Sequence, residues 1–332
     1  MVGVTLMPTM TMVEAIRDAL SLEMARDSRV ILLGQDIGRL GGVFRATEGL
    51  QARFGAERVV DMPLAEAAIV GAAVGLAVSG LIPVVEIQFL GFTHQAFHQM
   101  LQLARLRYRS RGSFAAQVTV RTAFGGNVRS PELHSDALEA HYTHCPGLKV
   151  VTPSNAYDAK GLLLASIRDP DPVLFCEPMR GYRLVKGEVP TGDYTVPIGR
   201  ARLVREGKDV TLVAWSAAVQ IAEAAAERLA QEDGISSEVL DLRTLVPLDI
   251  EELVKSVKKT GSCVVIHEAS LTGGFGAEVV ATVQEEAFYW LHAPIARVTA
   301  PDTPYPLAGV EKYYIPDVAR VVATAREVVR AK

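Results

Sequence analysis

The chain contains few cysteines and asparagines, and its positive and negative charges nearly balance. Its three cysteines, Cys145, Cys176 and Cys263, lie far apart and form no C-x-x-C pair, which excludes a disulfide framework and a thiolate metal cluster. Lys and Arg number 34 against 38 Asp and Glu, a net charge of −4, so general binding to nucleic acid or anionic membranes is excluded. A small-molecule substrate or a protein partner is therefore predicted.

The chain also lacks a convincing targeting or membrane segment. Its first ten residues contain neither Lys nor Arg and no apolar core of signal length. The most apolar stretch, Ala67 to Val85, is interrupted by Ser79, Gly80 and Pro83, which favours a core helix running into a strand over a membrane span. With cysteines that we expect to be reduced, these features predict a cytoplasmic protein.

A length of 332 residues predicts about two domains. Apolar strand-like runs alternate with helical patterns throughout, the pattern of an α/β protein with doubly wound parallel sheets. Residues 177–199 are rich in Gly, Pro and charge without a helical period, so they are predicted to be a surface linker. The predicted division is a first domain at 1–176, a linker at 177–199 and a second domain at 200–332.

Local patterns place individual elements within these domains. Thr11 and Glu14 form a capping box that predicts a first helix, and a last helix is predicted from Asp317 to Val329. The predicted strands are Val30–Leu33, Arg58–Met62, Ile82–Phe89, Gln117–Arg121, Leu148–Val151, Val173–Cys176, Val210–Trp215, Glu238–Leu242, Cys263–His267 and Ile295–Val298.

Glu66 is the most informative ionisable residue, because it ends the segment MPLAE and leads directly into an almost wholly apolar helix. Burial of such a carboxyl raises its pKa, so that it can donate a hydrogen bond at neutral pH. The alternative is a helix-start residue that the helix dipole favours. Composition alone leaves both interpretations open.

Histidines are concentrated in one part of the chain, at positions 94, 98, 134, 141 and 144. His94 and His98 could share a helix face, but no H-E-x-x-H pattern supports a metal centre. His134 differs, because it lies in a segment of turn formers after a strand, where open α/β sheets bind ligands. Ser135 and Asp136 are candidates to fix its tautomer, although a surface histidine without a role is equally compatible.

The segment Gly273-Gly274-Phe275-Gly276 follows a strand and begins a helix, so it is a candidate dinucleotide-binding turn. Val279 stands where the third glycine of that fingerprint is expected. A helix-opening turn is therefore favoured, and a nicotinamide-dependent dehydrogenase is kept as an alternative.

Nine segments, in order, resemble the beta subunit of thiamine diphosphate-dependent 2-oxo acid dehydrogenases. They are GGVFRATEGL (41–50), MPLAEAAIVG (62–71), EIQF (86–89), RYRS (107–110), PELHSD (131–136), HCPGLKVV (144–151), DAKGLL (158–163), EVLDLRTLVPLD (238–249) and TGGFGAE (272–278). The resemblance covers nearly the whole chain. It implies a transketolase-like pyrimidine-binding domain followed by a transketolase C-terminal-like domain.

The resemblance implies decarboxylation of a 2-oxo acid on thiamine diphosphate and transfer of the acyl group to a lipoyl arm of an acyltransferase. Glu66 matches the glutamate that bonds the pyrimidine ring nitrogen of the cofactor, and Leu64, Gln88 and Phe92 match residues lining the pyrimidine. His134 matches a loop histidine that acts as acid or base in acyl transfer. The positions that match the family's monovalent cation site, for K⁺, are Val118, Ser166, Ile167, Asp169 and Asp171.

One element of such sites is missing. Mg²⁺ and diphosphate are held in this family by a Gly-Asp-Gly turn followed by an asparagine, which supplies oxygen ligands and backbone donors. Here Gly192-Asp193 is followed by Tyr194, and the two asparagines, Asn127 and Asn155, both precede it. An alpha subunit is thus expected to supply the Mg²⁺ half of the site in a two-alpha, two-beta tetramer.

The preferred substrate is left undecided by the sequence. PELHSD and EIQFLGF resemble the pyruvate branch, whereas HEASLTGGFGAE resembles the branched-chain branch. An alternative of a different class is a non-catalytic scaffold that docks the acyltransferase through its second domain.

Overall fold

The computed structural model describes residues 7–126, 128–130 and 132–331. Its helices are α1 (Met12–Arg26), α2 (Leu50–Phe54), α3 (Glu66–Val78), α4 (Phe97–Arg109), α5 (Glu139–Thr143), α6 (Ala156–Arg168), α7 (Gly181–Leu184), α8 (Ala218–Asp233), α9 (Ile250–Thr260), α10 (Gly276–Ala287), α11 (Glu311–Tyr314) and α12 (Val318–Arg330), with 3₁₀ helices at Leu90–Ala96 and Phe288–Trp290. Within the described residues, none of these helices is long and apolar enough to cross a membrane.

The strands are β1 (Thr9–Thr11), β2 (Val30–Gly34), β3 (Val59–Asp61), β4 (Ile82–Phe89), β5 (Thr119–Phe124), β6 (Lys149–Val151), β7 (Val173–Pro178), β8 (Lys186–Glu188), β9 (Arg202–Arg205), β10 (Val210–Ala214), β11 (Ser237–Asp241), β12 (Thr244–Val246), β13 (Cys263–Ser270) and β14 (Ala296–Ala300). All ten predicted strands are present, with ends shifted by a few residues. The predicted capping box also forms, since the Glu14 amide donates to the Thr11 hydroxyl and the Glu14 carboxylate accepts from the Thr11 amide.

The first sheet has seven strands in the order β12-β6-β7-β5-β4-β2-β3 and is parallel except for β12. Helices α1 and α6 pack through Leu20 and Leu162 on one face, and α3 and α4 pack through Val70 and Leu103 on the other. Because helices cover both faces of the sheet, a central strand such as β2 is apolar along its whole length. This is the doubly wound α/β fold that the alternating pattern predicts.

The second sheet has five strands in the order β14-β13-β10-β11-β9, with β9 antiparallel at one edge. Helices α8 and α12 cover one face. Apolar residues of α9 and α10, such as Leu253 and Val279, belong to the same buried cluster as α3 and α4 of the first domain. The two domains therefore share a core.

Strand β12 lies in the first sheet although it follows β11 of the second domain in the chain. Thr244 pairs with Val151 and Val246 pairs with Val150, both antiparallel. Arg243, just before β12, donates to both carboxylate oxygens of the buried Asp158 on α6. A boundary at residue 200 thus assigns the helices and most strands to the correct domain. It fails for β12, which follows the boundary in the chain but belongs to the first sheet.

Residues 177–199 differ from the irregular surface linker that their composition predicts. They begin within β7 and contain α7 and β8, and β8 pairs antiparallel with β1. Tyr182, Val189 and Val196 are buried. The segment is therefore packed against the first domain, because its apolar residues are spaced among the Gly and Pro that suggested a linker.

Candidate active site

A cavity of about 670 Å³ opens at the start of α3, where the sequence places Glu66. Its walls are the first turn of α3, the 3₁₀ helix Leu90–Ala96 and the segment before His134. The lining residues are Leu64, Ala65, Glu66, Ala67, Gly91, Phe92, His94, Gln95 and Leu133.

Glu66 is the first residue of α3, and the preceding Ala65 provides no side-chain cap. The free N–H groups of the first helical turn favour a negative charge at this position. The carboxylate of Glu66 is half-buried, and no residue in the described part of the chain is hydrogen-bonded to it. The deep burial that the sequence predicts is thus not reached within one chain, because one side of the cavity is open.

His134 packs against two aromatic rings beside this cavity. Its ring centroid lies 4.3 Å from that of Phe89 and 4.9 Å from that of Phe92. Nδ1 lies 2.7 Å from the backbone carbonyl oxygen of Glu132. A carbonyl oxygen only accepts, so Nδ1 carries the proton and Nε2 is left free to accept one.

The prediction that Ser135 and Asp136 fix the tautomer of His134 is wrong. The Ser135 hydroxyl pairs with the Ser130 hydroxyl instead, and burial raises the pKa of Asp136. The Oδ2 atom of Asp136 is buried and has no hydrogen-bond partner among the described residues. The backbone carbonyl two residues before His134 performs the function that the neighbouring side chains were expected to perform.

Gly91 is a residue of this site that the sequence did not single out. A Cβ atom at this position would overlap the carbonyl oxygen of Leu133. Glycine therefore allows the His134 segment to close against the 3₁₀ helix. The glycine next to Phe92 could have indicated a close backbone contact. Its partner, however, lies about forty residues later in the sequence and could not be identified from it.

Two of the three residues predicted to line the pyrimidine, Leu64 and Phe92, are found in the cavity with Glu66. The Leu64 side chain is 72% exposed, which is unusual for a leucine at a cavity mouth unless another surface covers it. Gln88 does not line this cavity. It lines a smaller one with Glu86, Glu177 and Tyr182, because residues two apart on a strand face the same side.

A buried charge network that the sequence analysis missed joins the neighbouring strands β4, β5 and β7. Arg121 donates from Nε and Nη2 to the two carboxylate oxygens of Glu177, at 2.7 and 2.9 Å, and from Nη1 to Glu86 at 2.8 Å. Tyr182 donates its hydroxyl to Glu177 at 2.5 Å. Burial raises the pKa of Glu86. The single guanidinium thus compensates two buried carboxylates.

The five positions predicted for a monovalent cation come together between β5 and the end of α6. Val118 accepts at its carbonyl from the Val173 amide, and Ile167 accepts from the Gln117 side chain. Asp169 pairs with Lys149 at 2.6 Å, and Asp171 pairs with Arg107 at 2.6 Å. Ser166 also accepts an amide hydrogen bond at its carbonyl. Occupation of this region by a cation stays a prediction.

Three of the four remaining histidines of the cluster have a hydrogen-bond partner among the described residues. His94 Nε2 lies 3.2 Å from His141 Nδ1, and His98 pairs with Gln102. Among the described residues, no group of three or more His, Cys, Asp or Glu side chains is arranged to hold a metal ion.

A buried histidine packs against the glycine turn that precedes α10. His267 is fully buried, and a Cβ on Gly276 would overlap its Nε2. Its ring stacks on Trp215, with centroids 4.9 Å apart and planes at 13°. The glycines at Gly274 and Gly276 are therefore explained by close packing against this ring rather than by a dinucleotide.

Two family models together match most of the chain. The model described as transketolase, pyrimidine binding domain, matches residues 8–185, and the model described as transketolase, C-terminal domain, matches residues 199–321. Both intervals agree with the two sheets, apart from the exchanged strand β12.

Similar proteins cover the chain from end to end. A protein of Staphylococcus epidermidis named pyruvate dehydrogenase E1 component subunit beta is 51% identical over 96% of this chain and 98% of its own. The protein of the same name from Bacillus subtilis is 49% identical over 97% and 99%. A solved structure described as a split-gene transketolase, inactive beta4 tetramer, has a TM-score of 0.79 at 26% identity and covers 97% of this chain and 99% of that one.

Proposed function

Since the chain belongs to the transketolase-related family of pyruvate dehydrogenase E1 beta subunits, we propose that it catalyses thiamine diphosphate-dependent decarboxylation of a 2-oxo acid together with an alpha subunit. The proposed acceptor of the acyl group is a lipoyl group of an acyltransferase. The observation that carries the proposal is Glu66, at the start of α3, whose carboxylate has no hydrogen-bond partner among the described residues and faces a cavity lined by Phe92.

The residues present fit one half of the cofactor. A carboxyl such as Glu66 can bind the ring nitrogen of an aminopyrimidine, and the apolar surfaces of Leu64 and Phe92 can pack against its ring. Thiamine diphosphate, when bound, supplies a carbon nucleophile and an electron sink for decarboxylation. His134, with Nε2 free, is positioned beside Phe92 to accept or donate a proton during acyl transfer.

The Mg²⁺ and diphosphate half has no counterpart in this sequence, which lacks a Gly-Asp-Gly turn followed by an asparagine. The surface of α3 supports a partner that completes the site. Glu66 is its only ionisable residue, yet Ala68, Gly75 and Val78 are exposed along one face. Nothing lies within 4 Å of a Cβ built on Gly75, so another helix can approach closely. We propose that the alpha subunit covers this face, in a two-alpha, two-beta assembly.

We also propose a cytoplasmic location, which agrees with the three unpaired, buried cysteines. Relatives named for pyruvate favour that substrate over branched 2-oxo acids. The packed glycine turn before α10 favours the thiamine-dependent proposal over the nicotinamide alternative.

The test is reconstitution with the alpha subunit from the same source. We expect the assembly to bind thiamine diphosphate in the presence of Mg²⁺ and the isolated chain not to bind it tightly, as measured by calorimetry. The assembly is then assayed with pyruvate and branched 2-oxo acids, using an artificial electron acceptor and, separately, lipoamide. An assembly that binds the acyltransferase but turns over no 2-oxo acid would support the scaffold alternative instead.

Tight, Mg²⁺-dependent cofactor binding by the isolated chain would refute the shared site. Turnover with a nicotinamide cofactor in place of thiamine diphosphate would refute the proposed chemistry.

A further inference from the structure

The segment that carries His134 belongs to the first domain but is held by the second. It runs from the end of β5 to α5 (125–138), and the structure describes its residues 125–126, 128–130 and 132–138. Glu268, at the end of β13, accepts a hydrogen bond from the Gly126 amide at 2.9 Å. Glu311, in α11, accepts from the Val128 amide at 3.2 Å. At the far end, Trp215 donates its ring N–H to Glu139 at 3.1 Å.

The contact with Glu268 depends on the two glycines that begin the segment. Gly125 has φ +83°, and a Cβ there would lie 2.7 Å from the Glu268 carboxylate oxygen that accepts from Gly126. A Cβ on Gly126 would overlap the Tyr305 hydroxyl. Backbone without side chains therefore lets a carboxylate of the other domain reach the main chain directly.

We propose that Glu268 is a positioning residue, which fixes the beginning of the 125–138 segment and thereby the place of His134. The inference rests on the proposed function in one respect, the proton transfer that His134 is proposed to perform. The contact itself is a property of the chain alone. Glu268 is not one of the residues that line the cavity, and its hydrogen bond is to a backbone amide, so it acts through the backbone.

Titration of Glu268 couples this contact to pH. Burial raises its pKa to about 7 and the nearby carboxylates of Glu139 and Glu311 act in the same direction, whereas the Gly126 amide and Arg180 lower it. Tyr314 also faces the carboxyl. An ionised carboxylate is a stronger acceptor than a neutral one, so the segment is held more firmly above about pH 7.

Amide-resolved hydrogen exchange on the full chain, with and without the alpha subunit, tests the contact independently of activity. After correction for intrinsic rates, we expect protection of the Gly126 amide to rise roughly 5- to 10-fold between about pH 6 and pH 8, the difference between a neutral and a charge-assisted hydrogen bond. Glu268→Gln keeps an acceptor that does not titrate, so it should abolish this rise. Glu268→Ala should lose the protection at both pH values.

Asp241→Asn is the matched control. Asp241 is also a buried carboxyl of the second domain that contacts the first, through the Ser154 hydroxyl at 2.5 Å, and burial raises its pKa to about 6. Its substitution should leave Gly126 exchange unchanged. Equal loss of protection in Asp241→Asn and Glu268→Ala would assign the effect to general loosening of the domains. Unchanged exchange in Glu268→Ala would overturn the proposal.

Activity separates this inference from the proposed function. In the assembled enzyme, Glu268→Ala should lower lipoamide-dependent transfer by at least about tenfold, part of the roughly 10²- to 10⁴-fold contribution of a general acid or base. Decarboxylation with an artificial acceptor should change much less. Altered exchange in an assembly without dehydrogenase activity would uphold the positioning and refute the function. Normal lipoamide-dependent transfer in an active Glu268→Ala assembly would uphold the proposed function and refute the positioning role of Glu268.

Discussion

His267 should make the second domain lose stability in acid, and its replacement by phenylalanine should remove most of that loss. Burial lowers the pKa of His267 to about 3, against about 6.5 in an unfolded chain. The folded state therefore binds fewer protons than the unfolded state between these values. Its contribution to stability is complete above about pH 6.5 and is lost as the pH falls toward 3.

The full shift of about 3.5 pH units corresponds to roughly 5 kcal/mol, of which about 2 kcal/mol is lost between about pH 7.5 and pH 5. Neither ring nitrogen of His267 has a hydrogen-bond partner of normal geometry among the described residues, although the Ala269 backbone lies close enough to raise the His267 pKa. Replacement by phenylalanine therefore removes at most this weak contact. Phenylalanine keeps the stacking on Trp215. The tight contact with Gly276 adds an overpacking cost of about 1 to 3 kcal/mol, but that cost is independent of pH.

Urea unfolding followed by tryptophan fluorescence measures the change, because Trp215 lies on the ring in question. The chain has two tryptophans, and Trp290→Phe leaves Trp215 as the sole reporter. Glu268 has a raised pKa and contributes a slope of opposite sign, since its folded state binds more protons. Comparing variant with parent at each pH cancels that contribution. An equal loss of stability between about pH 7.5 and pH 5 in both proteins would refute the reasoning.

Three further outcomes are expected. Glu66→Gln should lower 2-oxo acid turnover of the assembled enzyme by roughly 10²- to 10⁴-fold, while Glu251→Gln, at the exposed start of α9, should not; near-normal turnover of the first variant would make Glu66 a helix-start residue only. His134→Ala should lose far more lipoamide-dependent transfer than decarboxylation at unchanged cofactor affinity, and equal losses in the two assays would assign His134 to an earlier step. Arg121→Met should destabilise the chain by about 3 to 5 kcal/mol in chemical denaturation, because it leaves two carboxylates buried without their cation, and a loss below about 1 kcal/mol would show that both become neutral.

The central strands could be predicted from sequence because burial on both faces makes them continuous apolar runs. Val30–Gly34 is such a run, and Ile82–Phe89 is apolar apart from Glu86 and Gln88. The edge strands β3 and β14 were predicted, but the edge strands β9 and β12 were not. Strand β9 is partly polar, and the partner of β12 is remote in the sequence. Arg202–Arg205 carries an arginine at each end, and Thr244–Val246 pairs with a strand of the other domain.

The site shows the same division between local and remote information. Glu66 was recognisable because a carboxylate before an apolar helix is a local pattern, and the structure places Phe92 beside it. The tautomer of His134 could not be predicted from the sequence, because a backbone carbonyl fixes it. The contact of Glu268 with Gly126 joins residues 142 positions apart, and nothing in the local sequence of either residue announces it.

Strand β12 follows the second domain's β11 in the chain but pairs with the first sheet, so the first sheet can be completed only after much of the second domain has been synthesised. Val151 ends β6, and its partner Thr244 emerges 244 − 151 = 93 residues later. At about 5 to 20 residues per second, the ribosome adds these residues in roughly 5 to 20 s. For that time the first sheet has an unpaired edge at β6, the kind of edge that recruits other strands. The nascent first domain therefore depends on the second to close its sheet, and a chain that stops at residue 199 never closes it.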